Sequence, residues 1–428
     1  MPSKRTVQLL LFMLSVVVFL DRISISLAAH RIQEELSIVP ERWGWILGAF
    51  TLGYAAFGIP SGAMGDRIGA RKMLTYIVLW WSVFTTLTGL ARGFYFLLAC
   101  RLLFGIGEAG AYPNGAIVIS QWFPESERGR AHGMMFLGAQ IGGMLVPLVM
   151  IPLQMRFGYL GWRLSFAILG CLGVFWVLAW RVRFRDFPAA TIQKQNPPSA
   201  QLNWKAALST PGVWFLAAMY LLYCYAGFFY ISWFPIYLLH ARGFQERDLL
   251  FTVFPPAAGA VAYVTGGYLN DFLRQRIGLR WGPRLIGAFG FGVATVCLLA
   301  MTYTRSRSMM IVCFTIAAGG LSLLVPSAWA VCVGMAGRAA GSLTGFMNTA
   351  GQLGSFLTSV LFGLFVTYFH SYQTPVLILC GACFVGALTW SGIDGTRTIA
   401  PNDACHGDLV LRDHRIGAGI NCESLRKH

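Results

Sequence analysis

Twelve apolar runs constrain this chain more than any other feature. They lie at 7–29, 44–64, 73–91, 94–120, 131–155, 164–181, 212–238, 250–270, 285–303, 309–333, 341–367 and 375–393. Each is close to the ~20 residues a helix needs to cross the hydrocarbon of a bilayer. Lipid offers no partner to a loose backbone N–H or carbonyl, so each span has to be helical. An all-α membrane protein with 12 transmembrane helices follows. Only 12% of the chain is charged, against about 25% in soluble globular proteins. The net charge of +16 does not argue for a nucleic-acid partner, because most of the base lies in short loops between spans.

Those loops set the orientation. With the N-terminus inside, two-thirds of the 33 Lys and Arg residues fall on the inner side, as the positive-inside rule requires. Both termini are then cytoplasmic and the protein sits in the inner (plasma) membrane. Lys4 and Arg5 precede the first run like the start of a signal peptide, but the run is too long for one and reads as retained. Residues 182–211, with Asn196-Pro197-Pro198-Ser199, read as a cytoplasmic linker. It divides a six-helix half at 1–181 from another at 212–393. The polar, aperiodic stretch 394–428 reads as a disordered cytoplasmic tail.

The chain repeats itself. Gly62-x-Met64-x-Asp66 matches Gly267-x-Leu269-x-Asp271, Arg67-Ile68-Gly69-Ala70-Arg71 matches Arg276-Ile277-Gly278-Leu279-Arg280, and Gly129-Arg130-Ala131 matches Gly337-Arg338-Ala339. All three fall at an offset of about 208 residues. Two six-helix halves in parallel repeat are expected, and in transporters so built the site lies between the halves near mid-membrane.

Charge is rare inside the spans. Asp21 and Arg22 stand side by side in the first, and Arg101 and Glu108 stand seven apart in the fourth. Seven residues are about two helical turns, so the latter pair share a face about 10 Å apart. Ionised groups cost about 2.5–3.5 kcal/mol each at mid-membrane and mark pathways or sites. The plain alternative is an ion pair that locks two helices. Two acids and two bases sum to zero. A proton on Asp21 or Glu108 makes the group net positive and able to hold a carboxylate, which would couple proton entry to anion binding.

The second half carries no such charges. Its seventh span is aromatic (Tyr220, Tyr223, Tyr225, Phe228, Phe229, Tyr230, Trp233, Tyr237), for packing mostly, with a few rings available to a ligand. Gln140 on span five and Asn348 on span eleven occupy equivalent positions among glycines. They serve either as glue between helices or as ligand contacts, and Tyr54 is open in the same way. Ten scattered cysteines and seven histidines show no metal spacing, and Cys380-x-x-Cys383 lacks a second pair. No metal, no cofactor and no enzyme chemistry is expected.

Gly62-x-x-x-Asp66-Arg67-x-Gly69-x-Arg71-Lys72 resembles the loop motif of the major facilitator superfamily. The resemblance covers essentially all of 7–393 and implies the major facilitator fold, with Asp66, Arg67 and the equivalent Asp271 forming a cytoplasmic gate. Phe19-Leu20-Asp21-Arg22, Cys100-Arg101-Leu102-Leu103-Phe104-Gly105-Ile106-Gly107-Glu108 and Trp122-Phe123-Pro124-Glu125-Ser126-Glu127-Arg128-Gly129-Arg130 narrow it to the anion:cation symporter family. By that resemblance Arg22 binds the substrate carboxylate, Asp21 and Glu108 carry protons, and Arg101 is their internal partner. Tyr54, Gln140, Trp329 and Asn348 line the pocket. Ala139 stands where drug antiporters of the superfamily usually carry a Pro, which weighs against drug export.

The expectation is a monomeric proton-coupled importer of a small organic anion, a hexonate, hexuronate or aldarate, working by alternating access in contact with membrane lipid. Sodium in place of protons, an exporter or exchanger, and a transporter-like sensor stay open as alternatives.

Overall fold

The computed structural model describes residues 3–185, 203–336, 340–396 and 399. Most of the expected linker and tail lies outside the described residues. The first half runs α1 (Lys4–Leu27), α2 (Pro40–Ile68), α3 (Ala70–Gly89), α4 (Phe94–Trp122), α5 (Glu125–Phe157) and α6 (Tyr159–Arg183). In the second half α7 spans Pro211–Ser232. The helical run Phe254–Tyr303 breaks at Gly278, giving α8 (254–277) and α9 (279–303). α10 (Arg307–Ala336), α11 (Ala340–Phe369) and α12 (Gln373–Thr389) follow.

Nine helical stretches among the described residues are long and apolar enough to cross a membrane. One of them is α8 and α9 joined, and α2 and α3 complete the twelve. Several helices outrun the apolar runs, α5 starting at Glu125 rather than 131. Hydropathy marks only the part that meets lipid, while the polar turns beyond it keep their helical hydrogen bonds.

The repeat is visible in the backbone. Gly69 joins α2 to α3 at φ 88° and Gly278 joins α8 to α9 at φ 86°. Both take a left-handed φ that a side chain resists, at equivalent motif positions. Helix crossings repeat as well. A side chain at Gly142 would meet the Val16 carbonyl of α1, and one at Gly354 of α11 would meet the Leu221 carbonyl of α7. Gly53 and Gly105 bring α2 and α4 into backbone contact, as Gly266 does for α8 against Leu323 of α10. Small residues permit such approaches where lipid gives no hydrophobic push. Replacing Gly105 by Leu drives a branched chain into the Phe50 carbonyl. We expect a loss of about 3 kcal/mol or more, read as a large fall in Tm or in folded yield.

Define the linker side as the side of Gly69, Gly278 and the chain's ends. Among the described residues, the hydrogen bonds and ion pairs that join the halves lie on the far side. Ser26 Oγ donates to the Ile231 carbonyl. Arg31 grips Glu246 with Nε at 2.7 Å from Oε1 and Nη2 on Oε2. Gly44 and Gly48 of α2 pack on Ser359, Val360 and Phe356 of α11. Nearer the linker side, Gly58, Gly267 and Gly345 face open space. Other far-side arginines tie down helix ends. Arg163 Nη1 donates to the carbonyls of Gly89 (2.8 Å) and Ala91 (3.0 Å) after α3. Arg242 does the same for Met301 (2.9 Å) at the end of α9.

The far-side joint carries a titratable contact. The His30 and His240 rings, from opposite halves, meet edge to face at 5.0 Å. Tyr372 stacks on His240, and Glu34 lies 3.4 Å from His30. Burial, then His30, hold His240 below its ordinary value of 6.5. The closed joint therefore binds fewer protons than the free imidazole. Its stability is complete above about pH 6.5 and falls as the pH drops through that value. Acidification from about pH 7.5 to about pH 5.5 should widen the distance between labels at Ser37 and His370. His240→Gln should remove that response, and a pH-independent distance in the unsubstituted protein would refute the assignment.

Candidate functional site

Between the halves lies a cavity of about 330 Å³, within the usual range for small-molecule sites. Arg22, Tyr54, Gln140, Trp329 and Asn348 all line it. Sequence reasoning thus names five residues that the fold brings to one chamber from α1, α2, α5, α10 and α11.

Arg22 is the focus. Its Nε donates to Glu108 Oε1 at 2.7 Å, and its Nη2 bonds the same oxygen. The side chain is 13% exposed while that of Glu108 is 1% exposed. Three rings box the guanidinium, with Phe19, Phe50 and Tyr54 centroids at 5.1, 5.2 and 5.1 Å. Each such contact is worth about 0.5–2 kcal/mol when desolvated. The glycine-mediated crossing of α2 and α4 is what puts Phe50, Tyr54 and Glu108 around one cation. The first stretch of α4 ends at Glu108 and helix resumes at Ala111, in a stretch weakened by Gly105, Gly107 and Gly110. Glu108 spends only Oε1 on Arg22, and Oε2 is buried with no hydrogen-bond partner among the described residues.

The four charges do not share one chamber, which revises the expectation of a single balanced cage. Asp21 and Arg101 are buried, at 1% and 2% exposure, and neither lines the cavity. Neighbouring residues on a helix point about 100° apart, so with Arg22 toward the cavity Asp21 turns into the first half. There both Asp21 oxygens lack a hydrogen-bond partner among the described residues. Its ionisable neighbours are Glu108 and Arg101, with the Trp81 indole alongside. Arg101 lies over the rings of Phe104 (4.5 Å) and Phe50 (5.2 Å). It has Glu108 and Asp21 as charged neighbours but makes no ion pair with either. Phe50 is therefore in contact with two guanidinium groups, of which only that of Arg22 lines the cavity.

Of the residues expected at the gate, Arg67 and Asp271 make no contact with each other among the described residues. Asp66 and Arg67 close α2 and Asp271 lies on α8. Arg67 and Asp271 are exposed, and Asp271 accepts only from its neighbour Asn270 (3.3 Å) among the described residues. The Asp66 side chain lies outside the described part.

The aromatics of α7 divide in two. Phe229 and Trp233, with Phe234 just beyond α7, are core, and Phe234 stacks on Phe314 at 3.7 Å. Tyr220, Tyr223 and Tyr230 line the cavity, and Tyr223 shares its hydroxyl with Tyr263 of α8 at 3.4 Å. Among the lining residues that escaped the sequence reading, two had a signal. Tyr112 lies four after Glu108 and Gln352 four after Asn348, each one turn along the same face.

A family model described as Major Facilitator Superfamily matches residues 11–359. A "probable sulfoacetate transporter" of Cupriavidus necator is 30% identical over 408 residues, covering 92% of this chain and 94% of the relative. A "hexuronate transporter" of Bacillus subtilis is 28% identical, covering 84% and 88%. Among solved structures, an inward-facing, occupied bacterial homologue of the human lysosomal transporter Spinster superposes with a TM-score of 0.73 at 21% identity, covering 92% and 95%. The chain belongs to the Major Facilitator Superfamily, as one of its organic-anion transporters and not as an enzyme.

Proposed function

We propose that the protein imports a small carboxylate, a sugar acid, together with protons across the inner membrane. Its termini are cytoplasmic, and the state described here opens to the cytoplasm. One observation carries the reading: the cavity's cation, Arg22, is already held by a buried carboxylate, Glu108. A substrate carboxylate and Glu108 compete for the same guanidinium. A proton on Glu108 ends the competition, so proton and anion load together. Asp21, one residue away and facing the interior, is the second proton carrier. Arg101, behind Phe50, holds a positive charge near both acids. Tyr54, Gln140, Trp329 and Asn348 form the rest of the binding surface. Once loaded, the site rocks to the other side as the far-side contacts part and the linker-side residues Asp66, Arg67 and Asp271 close. The name of the relative called a hexuronate transporter supports a sugar acid.

The test is uptake into proteoliposomes holding the purified protein, with labelled hexonates and hexuronates. An inward proton gradient should drive accumulation without sodium. Uptake driven only by sodium would replace the proton in this scheme. Uptake inhibited by external acid would favour an exchanger or exporter.

A further inference from the structure

Resting on that reading of the site, we infer that the cavity selects polyhydroxy acids with a single carboxylate, aldonates and uronates, and turns away aldarates and unhydroxylated acids. The specificity is set by the wall opposite Arg22, and above all by Asn348 and Gln352.

The first support is a charge count. Among the described residues lining the cavity, Arg22 is the one ionised side chain. The next cation, Arg101, lies against the Phe50 ring and does not line the cavity. The second half contributes tyrosines, one tryptophan, amides and hydroxyls, with no charge. A ligand whose carboxylate sits on Arg22 extends toward that neutral wall. A second carboxylate there would lose its water and find no cation, and an unpaired ion out of water is penalised heavily. A neutral second end meets no such barrier.

The second support is the state of the amides. Gln140, Asn348 and Gln352 all border the cavity, and none makes a hydrogen bond with the described residues. Asn348 and Gln352 are one turn apart on α11, so both face the same chamber. An apolar ligand tail would strip water from these groups and return nothing, which is the costly half of the hydrogen-bond balance. A chain of hydroxyls can donate to each amide oxygen and accept from each amide nitrogen. Tyr220 and Trp329, edge to face at 6.2 Å, offer apolar ring surface to the C–H side of the same chain. One cation, three unspent amides and two ring faces fit a carboxylate on a hydroxylated carbon chain.

The experiment uses the full-length protein in lipid nanodiscs at neutral pH. Binding would be measured by calorimetry for aldonates, uronates and aldarates of the gluco and galacto series, for the aldarate monoamides, and for hexanoate. Aldonates or uronates of at least one series should bind. The matching aldarate and hexanoate should be weaker by about tenfold or more. The monoamide, equal in length to the aldarate but singly charged, should bind like the aldonate. Gln352→Lys should raise aldarate affinity toward that of the aldonate. An aldarate that binds the unsubstituted protein within about threefold of the aldonate, with Arg22→Gln abolishing both, would sink the selectivity and leave the anion site standing. Aldonate and uronate binding that survives Arg22→Gln, or is absent throughout, would sink the reading of the site itself and this inference with it.

Discussion

Arg22→Gln is expected to abolish anion binding and to destabilise the protein, and adding Glu108→Gln should restore the stability but not the binding. Removing the cation leaves Glu108, 1% exposed, as a buried charge without its hydrogen-bonded partner. Breaking a buried ion pair from one side costs about 3–5 kcal/mol. Neutralising the remaining acid removes that cost, because no buried charge is left and two amides can bond each other. Binding has no such rescue, since the substrate carboxylate needs a charge-assisted donor. Losing it should weaken affinity by about 100-fold or more. Thermal unfolding of the four proteins of this cycle, with and without ligand, checks both parts. A double variant no more stable than Arg22→Gln would show that the pair does not behave as a unit. Anion binding retained by Arg22→Gln would move the site elsewhere.

Glu108→Gln alone should act in the opposite direction on binding and end coupling. The amide keeps the shape of the side chain but no longer holds Arg22 by charge. The guanidinium, still boxed by Phe19, Phe50 and Tyr54, is then free for the ligand at any pH. Affinity at neutral pH should rise about tenfold and its pH dependence flatten. Exchange of labelled for unlabelled anion across the vesicle membrane should persist, while accumulation against a gradient disappears. Uphill uptake by Glu108→Gln driven by a proton gradient would remove Glu108 from the coupling scheme.

The architecture was legible because lipid restricts the choices. Twelve runs of the right length admit little but twelve helices, and the repeated motif fell in the loops where Gly69 and Gly278 make their turns. The lining was legible where a polar group stands among apolar neighbours, as Arg22, Gln140 and Asn348 do. Facing was not. Asp21 and Arg22 are neighbours in sequence, yet one meets the cavity and the other the inside of the first half, and only the packing of α1 against α5 and α6 decides which. The tyrosines of α7 likewise occupy all sides of a helix whose core and cavity faces are both aromatic. The far-side arginines counted only as exceptions to the charge rule. Their partners, such as Glu246 for Arg31 and the end of α3 for Arg163, come from loops distant in sequence.

The ring of Phe50, in contact with the guanidinium groups of both Arg22 and Arg101, has a consequence for economy of transport. We expect it to act as a dry partition between the cavity that admits cargo and the buried site of Asp21. Were it trimmed to a methyl group, water could bridge the two, and hydrogen ions would slip through an empty carrier. Tight stoichiometry, on this view, depends on one flat hydrocarbon wall as much as on the charges it separates.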